Sequence, residues 1–222
     1  MANTVENRTA AILQQLRTEA DPAVSADLGR RYGIHTDNAI GIPMARMKKI
    51  AATLAPDHDL AMSLWATGFY EARTIAAHTD DPSRVSVDQM DAWCANFDNW
   101  AIVDTACFTL FDKAQGAWSR LEPWASSERE FTKRASFALL WALALHDKRA
   151  EDSHFSDALS LIEANASDPR PLVTKSADDG ASGNRSETPA ASLSSGRARA
   201  RAAGLRRRLY PPSGASDRKS FD

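Results

Sequence analysis

The sequence predicts an all-α protein made of short helices stacked as hairpins. Helical signals recur along the chain, strand signals are scarce, and no long heptad repeat is present. At least nine helices joined by short connections favour stacked helical hairpins over a coiled coil or a four-helix bundle. The spacing is irregular, so any internal repeat is degenerate. A stack of this kind has a concave face that suits an elongated partner.

The first three helices are predicted from apolar spacing and from proline and glycine signals. An amphipathic stripe over residues 10–16 begins the first helix. The second covers residues 22–32, because the proline that follows Asp21 fits a first helical turn and Gly33 is a typical stop. A third helix begins at Pro43 and carries one apolar face as far as Leu54.

Three further helices follow in the middle of the chain. Asp57 or Asp59 caps the fourth helix, which Gly68 ends. The fifth covers residues 70–79 and stops before an Asp-Asp-Pro sequence. Ser86 caps a sixth helix. The large apolar residues assigned to that sixth helix are Met90, Trp93 and Phe97.

The last three helices carry the main functional residues. Asn99 caps a helix that holds Trp100 and Asp104. Residues 127–130, Ser-Glu-Arg-Glu, read as a capping box ahead of a long helix over residues 131–145. A final amphipathic helix is predicted over residues 152–166.

Trp100 and Asp104 form the strongest functional signal in the sequence. Residues four apart on a helix lie on one face, so the indole and the carboxylate are expected one turn from each other. An electron-rich ring beside a carboxylate suits a cation. Two plainer interpretations remain open from spacing alone. Trp100 could be a packing residue in a helical core, and Asp104 could be a surface charge.

The chain changes character near Thr174, which predicts a helical domain over residues 1–173 and a low-complexity basic tail over residues 174–222. Residues 1–174 hold 17 Lys and Arg against 24 Asp and Glu, whereas residues 175–222 hold 10 against 5. The tail has too few large apolar residues to offset the entropy of ordering, so we expect it to be disordered. Its basic cluster could contact phosphates or simply be a solvated arm.

Several functional classes are unsupported by the sequence. It contains no apolar run long enough to cross a membrane, and its first residues do not resemble a signal peptide, so we expect a cytoplasmic protein. Cys94 and Cys107 form no metal or redox motif and are expected to be reduced thiols inside helices. The five histidines show no metal-binding spacing. We therefore expect no metal and no cofactor.

A series of short motifs in this order resembles the AlkD-type DNA alkylation repair family over about residues 10–173. Each motif is weak alone, and the ordered series is more specific. The motifs are Leu64-Trp65 with Gly68, Tyr70-Glu71-Ala72-Arg73 with Ala76, Met90-Asp91-Ala92-Trp93, Phe97-Asp98-Asn99-Trp100 with Asp104, and Lys133-Arg134-Ala135 with His146-Asp147-Lys148.

The resemblance implies a right-handed superhelical stack of HEAT-like helix pairs and excision of positively charged N3- and N7-alkylated purines from double-stranded DNA. Trp100 and Asp104 match the aromatic and acidic pair that faces the lesion strand in this family, and they are the catalytic candidates. Arg134 matches a basic residue that contacts the DNA backbone. From the residues alone, Arg134 could instead lie on a solvated face. We expect a monomer.

The resemblance ends abruptly at residues 173–175. The family continues with further helices that carry another active-site tryptophan, and neither a tryptophan nor helical periodicity follows here. A change of reading frame in the coding sequence would explain so abrupt a departure. The net charge of residues 1–174 is also acidic, unlike that of most nucleic-acid-binding domains. An alternative function is therefore a HEAT-like module that binds DNA or a protein without catalysis.

Overall fold

A computed structural model describes residues 4–54 and 56–150, together with Leu161 and Arg170. Within these ranges the chain forms nine α-helices and two short 3₁₀ helices, and it has no β-strand, as predicted. The α-helices are α1 (Val5–Thr18), α2 (Pro22–Tyr32), α3 (Met44–Thr53), α4 (His58–Ala66), α5 (Tyr70–Thr79), α6 (Val87–Ala95), α7 (Trp100–Thr109), α8 (Leu121–Ala125) and α9 (Glu130–His146). The 3₁₀ helices are Phe111–Lys113 and Ala117–Arg120.

Most of these helices pack in two layers. Helices α3, α5, α7 and α9 are successive neighbours in the first layer, and α1, α4, α6 and α8 form the second layer. In the second layer the indole rings of Trp65 and Trp93 stack with their centroids 3.8 Å apart. Trp124 of α8 donates an indole N–H to Asp91 of α6 over 2.7 Å. The predicted hairpin arrangement is therefore formed.

Helices α7 and α9 run in the same direction within the first layer. Near their N-terminal ends Arg134 of α9 contacts Asp104 of α7. At the other end His146, the last residue of α9, contacts Asp112 just after α7. The N-terminal ends of both helices therefore lie at the same edge of the layer. Helix dipoles make such an edge electropositive.

Side-chain caps begin five of the described helices, and those at Asp57, Ser86 and Asn99 were predicted from the sequence. Each cap accepts a hydrogen bond from a backbone N–H two or three residues further along. Gly33 ends α2 in the left-handed conformation, with φ of 62°. The capping residues are Thr4, Asp21, Asp57, Ser86 and Asn99.

Some predicted boundaries are wrong. Helix α1 begins at Val5 rather than near Ala10, because Thr4 supplies a cap. Phe97 lies beyond α6, which ends at Ala95. The expected capping box before α9 does not form: no side chain caps that helix, and the Ser127 hydroxyl accepts from the backbone N–H of Arg129 instead.

The segment between α7 and α9 was not predicted to be helical. It contains the two 3₁₀ helices and the five-residue α8. Elements this short show no full period of apolar residues, so periodicity cannot detect them. The predicted helix over residues 152–166 falls almost entirely outside the described residues, as does the predicted tail over residues 174–222.

The core includes two stacked tryptophans and both cysteines, which lie inside helices as predicted. Trp65 and Trp93 are buried, whereas Trp141 is only half-buried. Cys94 and Cys107 are free buried thiols in α6 and α7. Burial raises the pKa of the Cys94 thiol to about 12, so this side chain behaves as a small apolar residue.

A buried carboxylate joins α5 to the segment that leads into α3. Glu71 is fully buried and accepts hydrogen bonds from the backbone N–H groups of Ile40, Gly41 and Ile42, over 2.9, 2.7 and 3.3 Å. These charge-assisted bonds hold the start of α3 against the start of α5.

Candidate functional site

The structure brings the three predicted site residues together in one cluster. Trp100 is the first residue of α7, Asp104 follows one turn later, and Arg134 reaches across from α9. The Arg134 guanidinium makes a fork with the Asp104 carboxylate: Nη2 lies 3.0 Å from Oδ1 and 2.9 Å from Oδ2, and Nε lies 3.2 Å from Oδ1. We call these three residues the ring–acid–arginine cluster.

The start of α7 is fixed by its cap, and this places two members of the cluster. The buried Asn99 side chain accepts a hydrogen bond from the backbone N–H of Ile102 over 3.0 Å. Asp98 accepts in turn from the Asn99 amide over 2.7 Å. Trp100 therefore occupies the first helical position, and Asp104 lies on the same face one turn along.

The Trp100 ring is held at its edge and at its face. Its indole N–H donates to the backbone carbonyl of Tyr32, over 3.1 Å, at the end of α2. The guanidinium carbon of Arg134 lies 5.8 Å from the ring centroid, within cation–π range. The ring is half-buried against the core. Trp100 is thus partly a packing residue and partly a surface residue. The packing interpretation and the cation-binding interpretation of this residue each describe some of its environment.

Asp104 and Arg134 differ sharply in their exposure. The Asp104 side chain is 25% exposed, whereas the Arg134 side chain is 2% exposed. The interpretation of Arg134 as a residue on a solvated face is therefore wrong. The plain surface-charge interpretation of Asp104 is incomplete, because its carboxylate takes part in a partly buried ion pair. A carboxylate that stays open to solvent while a cation fixes it can act on a bound molecule.

A neighbouring exposed aromatic residue was missed by the sequence analysis. Tyr32 is 54% exposed, and Arg31 lies over its ring at 5.6 Å from the centroid. Its carbonyl contact places it beside Trp100, although the two residues are 68 positions apart. Its position just before the Gly33 stop gave no sign of this proximity.

A cavity lies at the other end of α7 and α9, away from the cluster. It has a volume of about 360 Å³ and includes Asp112, Trp118 and His146 in its lining. Burial raises the pKa of the Asp112 carboxyl, and the hydrogen bond from His146 opposes that rise. The Asp112 Oδ1 atom is buried without a hydrogen-bond partner.

Two features of other protein classes are absent from the described residues. No group of three or more His, Cys, Asp or Glu side chains in this part of the chain could hold a metal ion. No helix there is long and apolar enough to cross a membrane.

Comparisons with known proteins support both the fold and a family. The family model of DNA alkylation repair enzymes matches residues 12–177. A solved structure is similar with a TM-score of 0.65 and 22% sequence identity, covering 76% of this chain and 72% of the other. That structure is described as a new family of proteins related to the HEAT-like repeat DNA glycosylases, with affinity for branched DNA structures. A search of curated proteins finds no match. The predicted stack of HEAT-like helix pairs is thereby confirmed.

Proposed function

The chain belongs to the DNA alkylation repair enzyme family, and we propose that it excises positively charged N3- and N7-alkylated purines from double-stranded DNA by hydrolysis of the N-glycosidic bond. The observation that carries the proposal is the pairing of Trp100 with the partly exposed carboxylate of Asp104 on one face of α7. We further propose that the protein acts in the cytoplasm as a monomer.

The chemistry of this substrate class fits a site with one carboxylate. Alkylation at N3 or N7 makes the purine cationic, so it leaves without being protonated by a general acid. As the glycosidic bond breaks, positive charge develops on the sugar, as in other glycosidic hydrolyses. A fixed carboxylate near the anomeric carbon stabilises that charge or orients the attacking water. In this proposal Asp104 has that role.

Trp100 is proposed to hold the cationic nucleotide. Contact between a cation and the face of an indole ring stabilises a complex by about 0.5–2 kcal/mol. One part of the ring already faces Arg134, and the exposed remainder is the part available to a nucleotide. The electropositive edge formed by the starts of α7 and α9 suits the phosphates on either side of such a nucleotide.

The proposal is tested by the release of 7-methylguanine or 3-methyladenine from methylated duplex DNA. Wild-type protein is compared with Asp104→Asn, which keeps the shape of the side chain and an acceptor for Arg134. We expect release by the wild type and a rate about 10²-fold lower in the variant. Asp59→Asn is a matched control, because Asp59 is an exposed carboxylate of α4 that pairs with Arg84. Equal release by wild type and Asp104→Asn would contradict the role of Asp104.

A second candidate function is a HEAT-like module that binds DNA or a protein without catalysis. The fork from Arg134 favours it, because both oxygens of the candidate carboxylate already accept hydrogen bonds within the chain. The similar solved structure is described as having affinity for branched DNA. Binding to a four-way junction that is tighter than binding to a linear duplex, with no base release from either, would support this alternative.

A further inference from the structure

We propose that Arg134 is a positioning residue for Asp104, and that it does not contact DNA phosphates. This inference rests on the proposed excision activity. The fork of three N–H bonds to both carboxylate oxygens fixes the plane of the Asp104 side chain as well as its distance from α9. A planar guanidinium is suited to such geometry, and a lysine ammonium cannot reproduce it.

Accessibility supports the assignment. A phosphate needs an open approach to the guanidinium, and only 2% of the Arg134 side chain is exposed. Asp104 keeps 25% of its side chain exposed on the same face of the stack. In the arrangement observed, a nucleotide can therefore approach the carboxylate, while the arginine lies behind it.

Arg134 also joins the two members of the cluster that would touch the substrate. Its guanidinium lies over the Trp100 ring and forks onto Asp104, so one buried cation orients both groups. The carbonyl of Tyr32 fixes the opposite part of the indole. Loss of the arginine should therefore disturb the geometry of the reacting groups more than the affinity for the DNA backbone. A displacement of about 1 Å in such a group can cost about 10²-fold in rate.

The test combines single-turnover base release with DNA binding across a range of salt concentrations. The variants are Arg134→Gln, Arg134→Lys, Asp104→Asn and the double variant with Gln and Asn. Arg84→Gln is the control for loss of one positive charge, because Arg84 is an exposed residue paired with Asp59. Circular dichroism and thermal unfolding establish that each variant is folded.

We expect Arg134→Gln to lower the release rate at saturating protein by about 10²-fold. Its dissociation constant and the slope of log K against log salt should match those of Arg84→Gln. Arg134→Lys should bind as the wild type does and still release base more slowly, because one ammonium cannot form the fork. The double variant should be slower than Asp104→Asn by much less than the loss caused by Arg134→Gln alone, since Arg134 acts largely through Asp104.

The contrary pattern would overturn the assignment. A phosphate contact predicts weaker binding by Arg134→Gln, a salt slope reduced by about 0.9, and full recovery by Arg134→Lys. It also predicts that the fold-losses in release rate of the two single variants multiply in the double variant. If the wild type releases no base, the proposed excision activity fails. The slope of log K against log salt for Arg134→Gln then still decides whether the guanidinium contacts DNA phosphates.

Discussion

The Glu71 carboxylate of α5 lies 2.7 Å from the backbone nitrogen of Gly41, which donates a hydrogen bond to it from the segment before α3. Two neighbouring N–H groups donate to the same carboxylate. We expect Glu71→Ala to lower the free energy of unfolding by about 3 kcal/mol, because it leaves buried N–H groups without acceptors. Urea denaturation measures the loss. Glu122→Gln, a change at an exposed position of α8, should stay within about 0.5 kcal/mol of the wild type.

Gly41 should tolerate no side chain, whereas Gly33 should tolerate one at a modest cost. Both have positive φ, at 98° and 62°. A Cβ atom added at Gly41 would lie 2.3 Å from the carbonyl oxygen of Asp21, whereas one added at Gly33 would meet nothing within 4 Å. We expect Gly33→Ala to cost about 1 kcal/mol and Gly41→Ala clearly more. Equal melting temperatures for the two variants would contradict this account of the close approach.

The buried carboxyl of Asp112 should make stability fall as the pH rises. Burial raises its pKa above the usual value of 3.8. The folded protein therefore holds this proton more tightly than the unfolded chain does. The resulting stabilisation is present when the pH is below the pKa that Asp112 has in the unfolded chain. It is lost as the pH rises through the pKa that Asp112 has in the folded protein.

Asp112→Asn removes this titration. We expect the wild type to lose stability relative to the variant as the pH is raised from about 3 to about 7. Urea denaturation at several pH values measures the difference between the two proteins. Asp59→Asn, which changes an exposed carboxylate, is the control. If the difference in free energy of unfolding between wild type and Asp112→Asn does not vary with pH, the prediction is refuted.

Trp100→Ala should weaken the preference for alkylated over unmodified DNA. Loss of a cation–π contact of about 0.5–2 kcal/mol corresponds to an affinity about 2- to 30-fold lower for a duplex with one 7-methylguanine. Binding to the unmodified duplex should change less. Trp118→Ala is the matched control, since Trp118 is a half-buried tryptophan beside the distant cavity. If Trp100→Ala lowers the affinity for both duplexes equally, Trp100 has only a packing role.

Features set by a few adjacent residues were predictable from the sequence. The caps at Asp21, Asp57, Ser86 and Asn99 each depend on a side chain and a backbone N–H within three residues. The shared face of Trp100 and Asp104 follows from helical spacing alone. Residues 127–130 show the limit of such reasoning, because the correct motif is present and the cap does not form.

Partnerships between distant parts of the chain were not predictable. Asp104 and Arg134 are 30 positions apart, and their fork depends on the parallel packing of α7 and α9. The resemblance placed Arg134 at the site but assigned it to DNA phosphates, whereas its burial beside Asp104 is the reason that we propose a positioning role instead. Nothing in the sequence linked Tyr32 to Trp100, since their contact requires the end of α2 to meet the start of α7.

The stacked indoles of Trp65 and Trp93 give the protein a built-in optical reporter. Two nearly parallel, stacked chromophores in van der Waals contact, with an interplanar angle of 5°, absorb ultraviolet light as a coupled pair. Their exciton signal in circular dichroism reports whether α4 and α6 remain packed together. Because Trp100 is not part of that pair, the exciton signal distinguishes loosening of the second layer from ligand-induced changes near α7.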